Sequence, residues 1–234
     1  MPQPTSHFKR HRGFSLLELS IVLIVIAVIL GAVSLGSGLQ RNASYQHLAT
    51  DFVRGWQLAY LSHYEGVGTV VGDSQTTPTL RVNQGGGEYC ADNLMNAILA
   101  AGVKLPNGRA EGLNTHYAYL DSNGNPQDTE VCFQNIDWSV NGASVGTYVV
   151  QKKNVMVIKR LTPDLARMLD SLIDGAADAR FGKFRQDTVA ALTTTDKYEW
   201  SKDNRWVYGG SGPTSPTLDE AQIDVVTAYY LMNP

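Results

Sequence analysis

Lys9-Arg10-His11-Arg12-Gly13-Phe14-Ser15-Leu16-Leu17-Glu18 leads into Leu19–Leu39, 21 residues with no formal charge and rich in Leu, Ile, Val and Ala. A basic cluster, a glycine, one acid and then a long apolar run is an order that a soluble domain has no use for. The apolar stretch from Phe14 to Leu39 covers 26 residues, and about 20 apolar residues at 1.5 Å each span a bilayer core. Basic residues on its N-terminal flank favour holding that end in the cytoplasm and sending the remainder outward. A removable secretory signal would instead need a short apolar region and a small-x-small cleavage site, which Ala32-Val33-Ser34 offers. Neither an anchor nor a secretory signal accounts for Glu18. An ionised carboxylate inside an apolar segment costs on the order of 2.5–3.5 kcal/mol on insertion scales, and such residues usually have a functional partner.

The spacing itself resembles a known signal. Gly13-Phe14-Ser15-Leu16-Leu17-Glu18, followed by about twenty apolar residues, is similar to the class III signal of type IV prepilins and type II secretion pseudopilins. The 13-residue leader and the phenylalanine resemble the type IVa and pseudopilin group more than the long-leader pilins. The resemblance implies that a membrane prepilin peptidase cuts between Gly13 and Phe14 and that Phe14 is then N-methylated. It also implies that Glu18 pairs with the terminal amine of a neighbouring subunit. The implied partners are that peptidase/N-methyltransferase, other pilin or pseudopilin subunits, and the inner membrane with its assembly platform. The implied location is the inner membrane, as a single-pass protein with its globular part in the periplasm, and then a filament. No cofactor is implied. One departure is visible: many type IVa major pilins carry a proline where this chain has Leu35, and Gly31, Gly36 and Gly38 are the local helix-weakening residues instead.

No proline occurs from Phe14 to Gly72, so one helix is expected to continue past the membrane. Beyond Leu39, Tyr45, Leu48, Ala49, Phe52, Trp56, Ala59, Tyr60 and His63 recur at three- and four-residue steps, the mark of an amphipathic helix packing on a globular domain. The span from Phe14 to Glu65 would be about 78 Å long if wholly helical. The expected organisation is a removed leader (1–13), a transmembrane assembly half-helix (14–39), an amphipathic half-helix (40–65) and a globular domain (66–234). The expected fold class is α+β, a long N-terminal helix packed on a small, mainly antiparallel sheet.

Within the globular part, Asp92–Ala101 reads as a short helix, and the runs around Asp121–Asn125 read as a hairpin. Asp121, Asn123 and Asn125 alternate as in a calcium loop, but the glycine is misplaced for an EF-hand and no glutamate closes the loop, so turn chemistry is the favoured reading. Gly146–Lys159 reads as another strand pair. Thr162-Pro163 opens a helix that Gly175 closes. Leu169-Asp170-Ser171-Leu172-Ile173-Asp174-Gly175, with Gly182 beyond, resembles a motif of a subset of bacterial prepilins with one acid missing. The favoured reading is nevertheless a capped surface helix with solvated Asp170 and Asp174. Gly209–Pro216 reads as a linker and Thr217-Leu218-Asp219-Glu220 as a capping box, while Ile223–Met232 fits helix or strand equally.

Two cysteines, Cys90 and Cys132, in a chain with an export signal suggest one disulfide; two unrelated buried thiols are the alternative. Removing Lys9, Arg10 and Arg12 with the leader moves the formal charge from −3 to −6, and an acidic body without a basic run argues against nucleic acid as a partner. His47, His63 and His116 are the histidines left after the leader, and no nucleophile motif, phosphate loop or metal-spaced cluster accompanies them, so no enzymatic activity is expected. The function these features favour is a structural subunit, a minor pilin or pseudopilin, because a body of about 170 residues is large for a major subunit. The alternative is a pilus-associated adhesin that binds through a patch formed by Tyr198, Trp200, Trp206 and Tyr208.

Overall fold

The computed structural model describes residues 16–108, 114–121, 124–200 and 225–233, with the backbone alone for 32–39. Helix α1 runs Leu16–His47, and the helical path continues through a π-helical segment, Leu48–Val53, into α2, Arg54–Val67. By contact density the chain divides into two units, Met1–Asn42 and Ala43–Pro234. In the second unit follow α3 (Ala91–Ala100), β1 (His116–Leu120), β2 (Pro126–Asn141), β3 (Tyr148–Leu161), α4 (Pro163–Asp174), β4 (Phe184–Gln186) and β5 (Val226–Leu231). The strands form one antiparallel sheet in the order β1-β2-β3-β5-β4. The α+β class is what the structure shows.

The amphipathic stripe becomes the core. Tyr45, Leu48, Phe52, Trp56, Ala59, Tyr60 and His63 are all buried. They lie on the odd-numbered face of β1 and β2. Tyr60 stacks on Phe133 at 4.9 Å between ring centroids, Trp56 tilts over the same ring at 6.4 Å, and Phe52 meets Tyr117 at 5.3 Å. Aromatic pairs of this geometry contribute about 0.5–1.5 kcal/mol beyond the area they bury. Val53 is buried as well, next to Phe52. Both belong to the π-helical turn Leu48–Val53, which also buries Leu48.

Two strand expectations change. Gly146–Lys159 is not a strand pair: from Tyr148 onward it belongs to one strand, β3, which pairs along β2 from Glu130↔Lys159 to Asn141↔Tyr148. The polar run Gln151-Lys152-Lys153 looks like a turn in sequence. It lies in the far half of the hairpin, where Gln151 and Lys152 are exposed and Lys152 bonds across the strands to Asp137 at 3.0 Å. Solvated polar side chains do not interrupt a ladder whose backbone bonds are made. Ile223–Met232, open to either reading, contains strand β5. The capping box at Thr217–Glu220 and the Gly209–Pro216 linker lie outside the described residues.

Two polar clamps hold irregular backbone on this frame. At the bulge between Ile158 and Leu161, where Arg160 has φ +57°, the Tyr119 hydroxyl donates to the Arg160 carbonyl (2.9 Å) and accepts from the Thr162 N–H (3.0 Å). The bulge and the start of α4 are thus fixed by one side chain. The second clamp is Asn154, buried on β3. Its Oδ1 accepts from the Val82 N–H (3.0 Å) and Asn135 Nδ2 (2.8 Å), while its Nδ2 donates to the Leu80 carbonyl (2.9 Å), pinning the loop that follows α2. Asn154→Ala would strand a buried N–H and a buried amide, so a loss on the order of 2–4 kcal/mol is expected in urea unfolding. A loss under about 0.5 kcal/mol would mean that water replaces the side chain.

Candidate functional site

The residues around the expected cleavage point divide at the edge of the described chain. Gly13 and Phe14 lie outside the described residues, and Glu18 occupies the first turn of α1. A carboxylate in that turn is favoured by the partial positive charge at a helix N-terminus. Beside it, the Ser20 hydroxyl donates to the Leu17 carbonyl at 2.8 Å, so this polar side chain satisfies itself within its own helix. Every large apolar residue from Leu16 to Leu30 is exposed, from 46% at Ile26 to 87% at Leu16. Successive residues are exposed at all azimuths, so the helix is apolar all round rather than striped, the property of a segment enclosed by lipid or by other helices. The described apolar side chains stop at Gly31, and among the described residues no helix is long and apolar enough to cross a membrane.

The acidic segment after α4 differs from its expected solvated form. Asp170 is fully buried. Its Oδ2 accepts from the Trp200 indole N–H (2.7 Å) and the Asp178 N–H (2.7 Å). Asp174 is half-buried and accepts from the Lys183 and Phe184 N–H groups, both at 2.8 Å. Asp178, which the sequence reading passed over, accepts from the Arg180 (2.9 Å) and Phe181 (2.8 Å) N–H groups. The three acids recur every fourth residue, and that period was the available signal. A glycine is needed at 182, where φ is +86° and a Cβ would collide with the Asp174 carboxylate. The physical content of this stretch is a set of carboxylates that stand in for missing backbone acceptors along an irregular loop. Burial pushes the Asp170 carboxyl up to about 7, against the pull of the Trp200 and Asp178 hydrogen bonds and with the help of the Asp174 and Asp178 charges.

Of the expected aromatic patch, Tyr198 and Trp200 are described, and Trp200 does not lie on the surface. Trp200 is buried, tilted over Phe184 at 5.6 Å, and Tyr198 is half-buried beside the same core. Trp206 and Tyr208 lie outside the described residues. In the Asp121–Asn125 loop the Asp121 carboxylate accepts from the Asn125 N–H (2.8 Å) and Gln127 Nε2 (2.9 Å), and Gly124 has φ +85°. This is the turn chemistry the sequence favours; Asn123 lies outside the described residues.

Cys90 and Cys132 are joined by a disulfide with Cα atoms 4.5 Å apart. It ties the residue before α3 to the middle of β2, beside the Tyr89↔Phe133 bridge. Among the described residues one His/Cys/Asp/Glu group has metal-like proximity, Glu88 with these two cysteines, but their sulfurs are spent on the bond to each other.

Residues 8–34 match the family model described as the prokaryotic N-terminal methylation motif. The matched stretch holds the basic cluster, Gly13, Phe14, Glu18 and most of the apolar run, and the chain thus carries the class III signal of type IV pilin and pseudopilin precursors. No curated protein and no solved structure matches the chain.

The disulfide closes a loop of 42 residues in sequence separation, which in the chain-entropy account stabilises by on the order of 3–4 kcal/mol. The double substitution Cys90→Ser/Cys132→Ser is expected to lower unfolding stability by that order in denaturant titration. A change under about 1 kcal/mol would show that the sheet and the β2 bridge constrain the loop without it.

Proposed function

We propose that the chain is the precursor of a structural filament subunit, a minor pilin or a secretion pseudopilin. In this reading the leader 1–13 is removed between Gly13 and Phe14 by a prepilin peptidase, which also methylates the Phe14 amine. The subunit waits in the inner membrane with its globular part in the periplasm, and then joins other subunits in a pilus or pseudopilus. The observation that carries the reading is the methylation motif over residues 8–34. The uniformly apolar, exposed surface of Leu16–Leu30 supports it, since such a surface needs lipid or neighbouring helices to cover it.

Glu18 gives the assembly its register in this proposal. Before assembly, a carboxylate four residues from the mature terminus stays near the membrane surface, where hydration limits its cost. Inside a bundle of apolar helices it requires a cation, and the Phe14 amine of an adjacent subunit supplies one only if the leader has been cut. Apolar side chains slide past one another with little preference, whereas an ion pair favours a single axial offset.

Two measurements test this. Mass spectrometry of the protein from its host is expected to find a mature N-terminus at methylated Phe14; an intact Met1, or a terminus at Leu35, overturns the cleavage assignment. For Glu18→Ala, the ratio of sheared filament protein to membrane-bound subunit is expected to fall at least tenfold, with cleavage unchanged, and Glu18→Asp is expected to fall in between. Equal ratios for wild type and Glu18→Ala would show that packing alone sets the register.

A further inference from the structure

The clasp around Asp170 has a feature that hydrogen bonding within the chain does not explain. Asp170 is completely buried, both of its protein hydrogen bonds go to Oδ2, and Oδ1 has no hydrogen-bond partner among the described residues. A buried carboxylate oxygen without a donor is costly when ionised and far less so when it carries a proton. The charged groups around it reinforce the point. Asp174 on its own helix and Asp178 on the following turn are both acidic, and both act on Asp170 with the same sign. The two buried guanidiniums bond elsewhere, Arg180 to the Asp196 and Leu192 carbonyls and Arg185 to the Gly182, Ser139 and Ala190 carbonyls. Tyr230 of β5 lies near Asp174 and stays neutral through the physiological range, since burial pushes its pKa up.

What the clasp holds is a defined piece of chain. The 192–200 segment has no helix or strand. Its ties include Trp200 to Asp170 (2.7 Å), the Tyr198 carbonyl to the Ala179 N–H (2.7 Å), and the Asp196 and Leu192 carbonyls to the Arg180 guanidinium (2.7 and 3.1 Å). The first of these is the one made by a carboxylate.

We propose that Asp170 is a pH-sensitive clasp: protonated, it holds Trp200 and the 192–200 segment on α4, and ionised, it loosens them. The proposal stands independently of the assembly reading. In the closed form the Asp170 carboxyl is raised to about 7 from an ordinary value of 3.8. A group raised in the closed state binds its proton more tightly there, so closure is fully favoured below the ordinary value and weakens as pH rises through the raised one. The ratio of open to closed segment therefore climbs about tenfold per pH unit between roughly pH 4 and pH 7, then levels off above about 7.

Hydrogen exchange of the Trp200 indole N–H and the Ala179 amide reads this opening directly, using the full chain in detergent micelles and correcting for intrinsic exchange. Wild-type protection at both sites is expected to fall roughly fiftyfold from pH 5 to pH 7. Asp170→Asn keeps the acceptor for Trp200 and removes the charge, and its protection is expected to stay flat and high. Because burial also lowers the His63 pKa from its ordinary value, the difference between the two proteins, and not the wild-type profile alone, is the relevant quantity. Parallel profiles in wild type and Asp170→Asn overturn the proposal. Should Asp170→Asn fail to fold, a carbon-13 titration of the wild-type Asp170 carboxyl decides: a midpoint near 7 supports the clasp, and one below 5 overturns it.

Discussion

Phe133 in the middle of β2 is where the second unit is held together. Tyr60 stacks on its ring and Trp56 leans over it, while its own N–H and C=O bond to Tyr89, next to the disulfide. One residue thus joins the amphipathic helix, the sheet and the cross-linked α3 connection. The rest of the architecture is arranged around keeping that contact dry. Asn154 and Tyr119 use side chains to satisfy the backbone of the loop and bulge that border the aromatic layer. Their hydrogen bonds add little net free energy, but leaving those groups unmade would be expensive.

The opposite face of the sheet is finished in another way. Cys132, Trp138, Val155, Val157 and Ala190 form a smaller cluster there. Arg185 closes it by lying over the Trp138 ring at 4.1 Å while donating to the Ser139 and Ala190 carbonyls. Burial lowers its pKa to about 10, which leaves it charged at neutral pH. A guanidinium can occupy such a place because its planar face packs like an aromatic ring and its edge supplies donors. The sheet is therefore covered on both sides by a chain short of apolar mass after Leu39.

What the sequence made legible follows the range of the interactions. The helix Pro163–Asp174 was readable because its signals, Thr162-Pro163 and Gly175, act on adjacent backbone. The stripe from Tyr45 to His63 was readable because helical period alone sorts its faces. The π-helical turn was not, since Leu48–Val53 carries no proline or glycine to mark it. Nor was the continuity of β3, because Gln151-Lys152-Lys153 carries the composition of a turn and only the pairing with β2 overrides it. At the N-terminus, by contrast, the signal is entirely local in sequence, and the fixed offsets of Gly13, Phe14 and Glu18 were enough.

Glu18 and Asp170 are the same problem with two boundary conditions. Each is a carboxylate among apolar neighbours, and a carboxylate taken out of water needs a counter-charge, hydrogen-bond donors or a proton. Asp170 is enclosed by its own chain, so its donors are fixed in place by folding, and the proton is the remaining variable. Glu18 lies in the first turn of a helix whose apolar side chains the chain leaves exposed, so in the proposed assembly its surroundings are set by whatever packs there. A carboxylate of the first kind reports on solution conditions. In the proposed assembly, one of the second kind reports on whether a neighbour with a free amine has arrived, which couples the chemistry of leader removal to the geometry of packing.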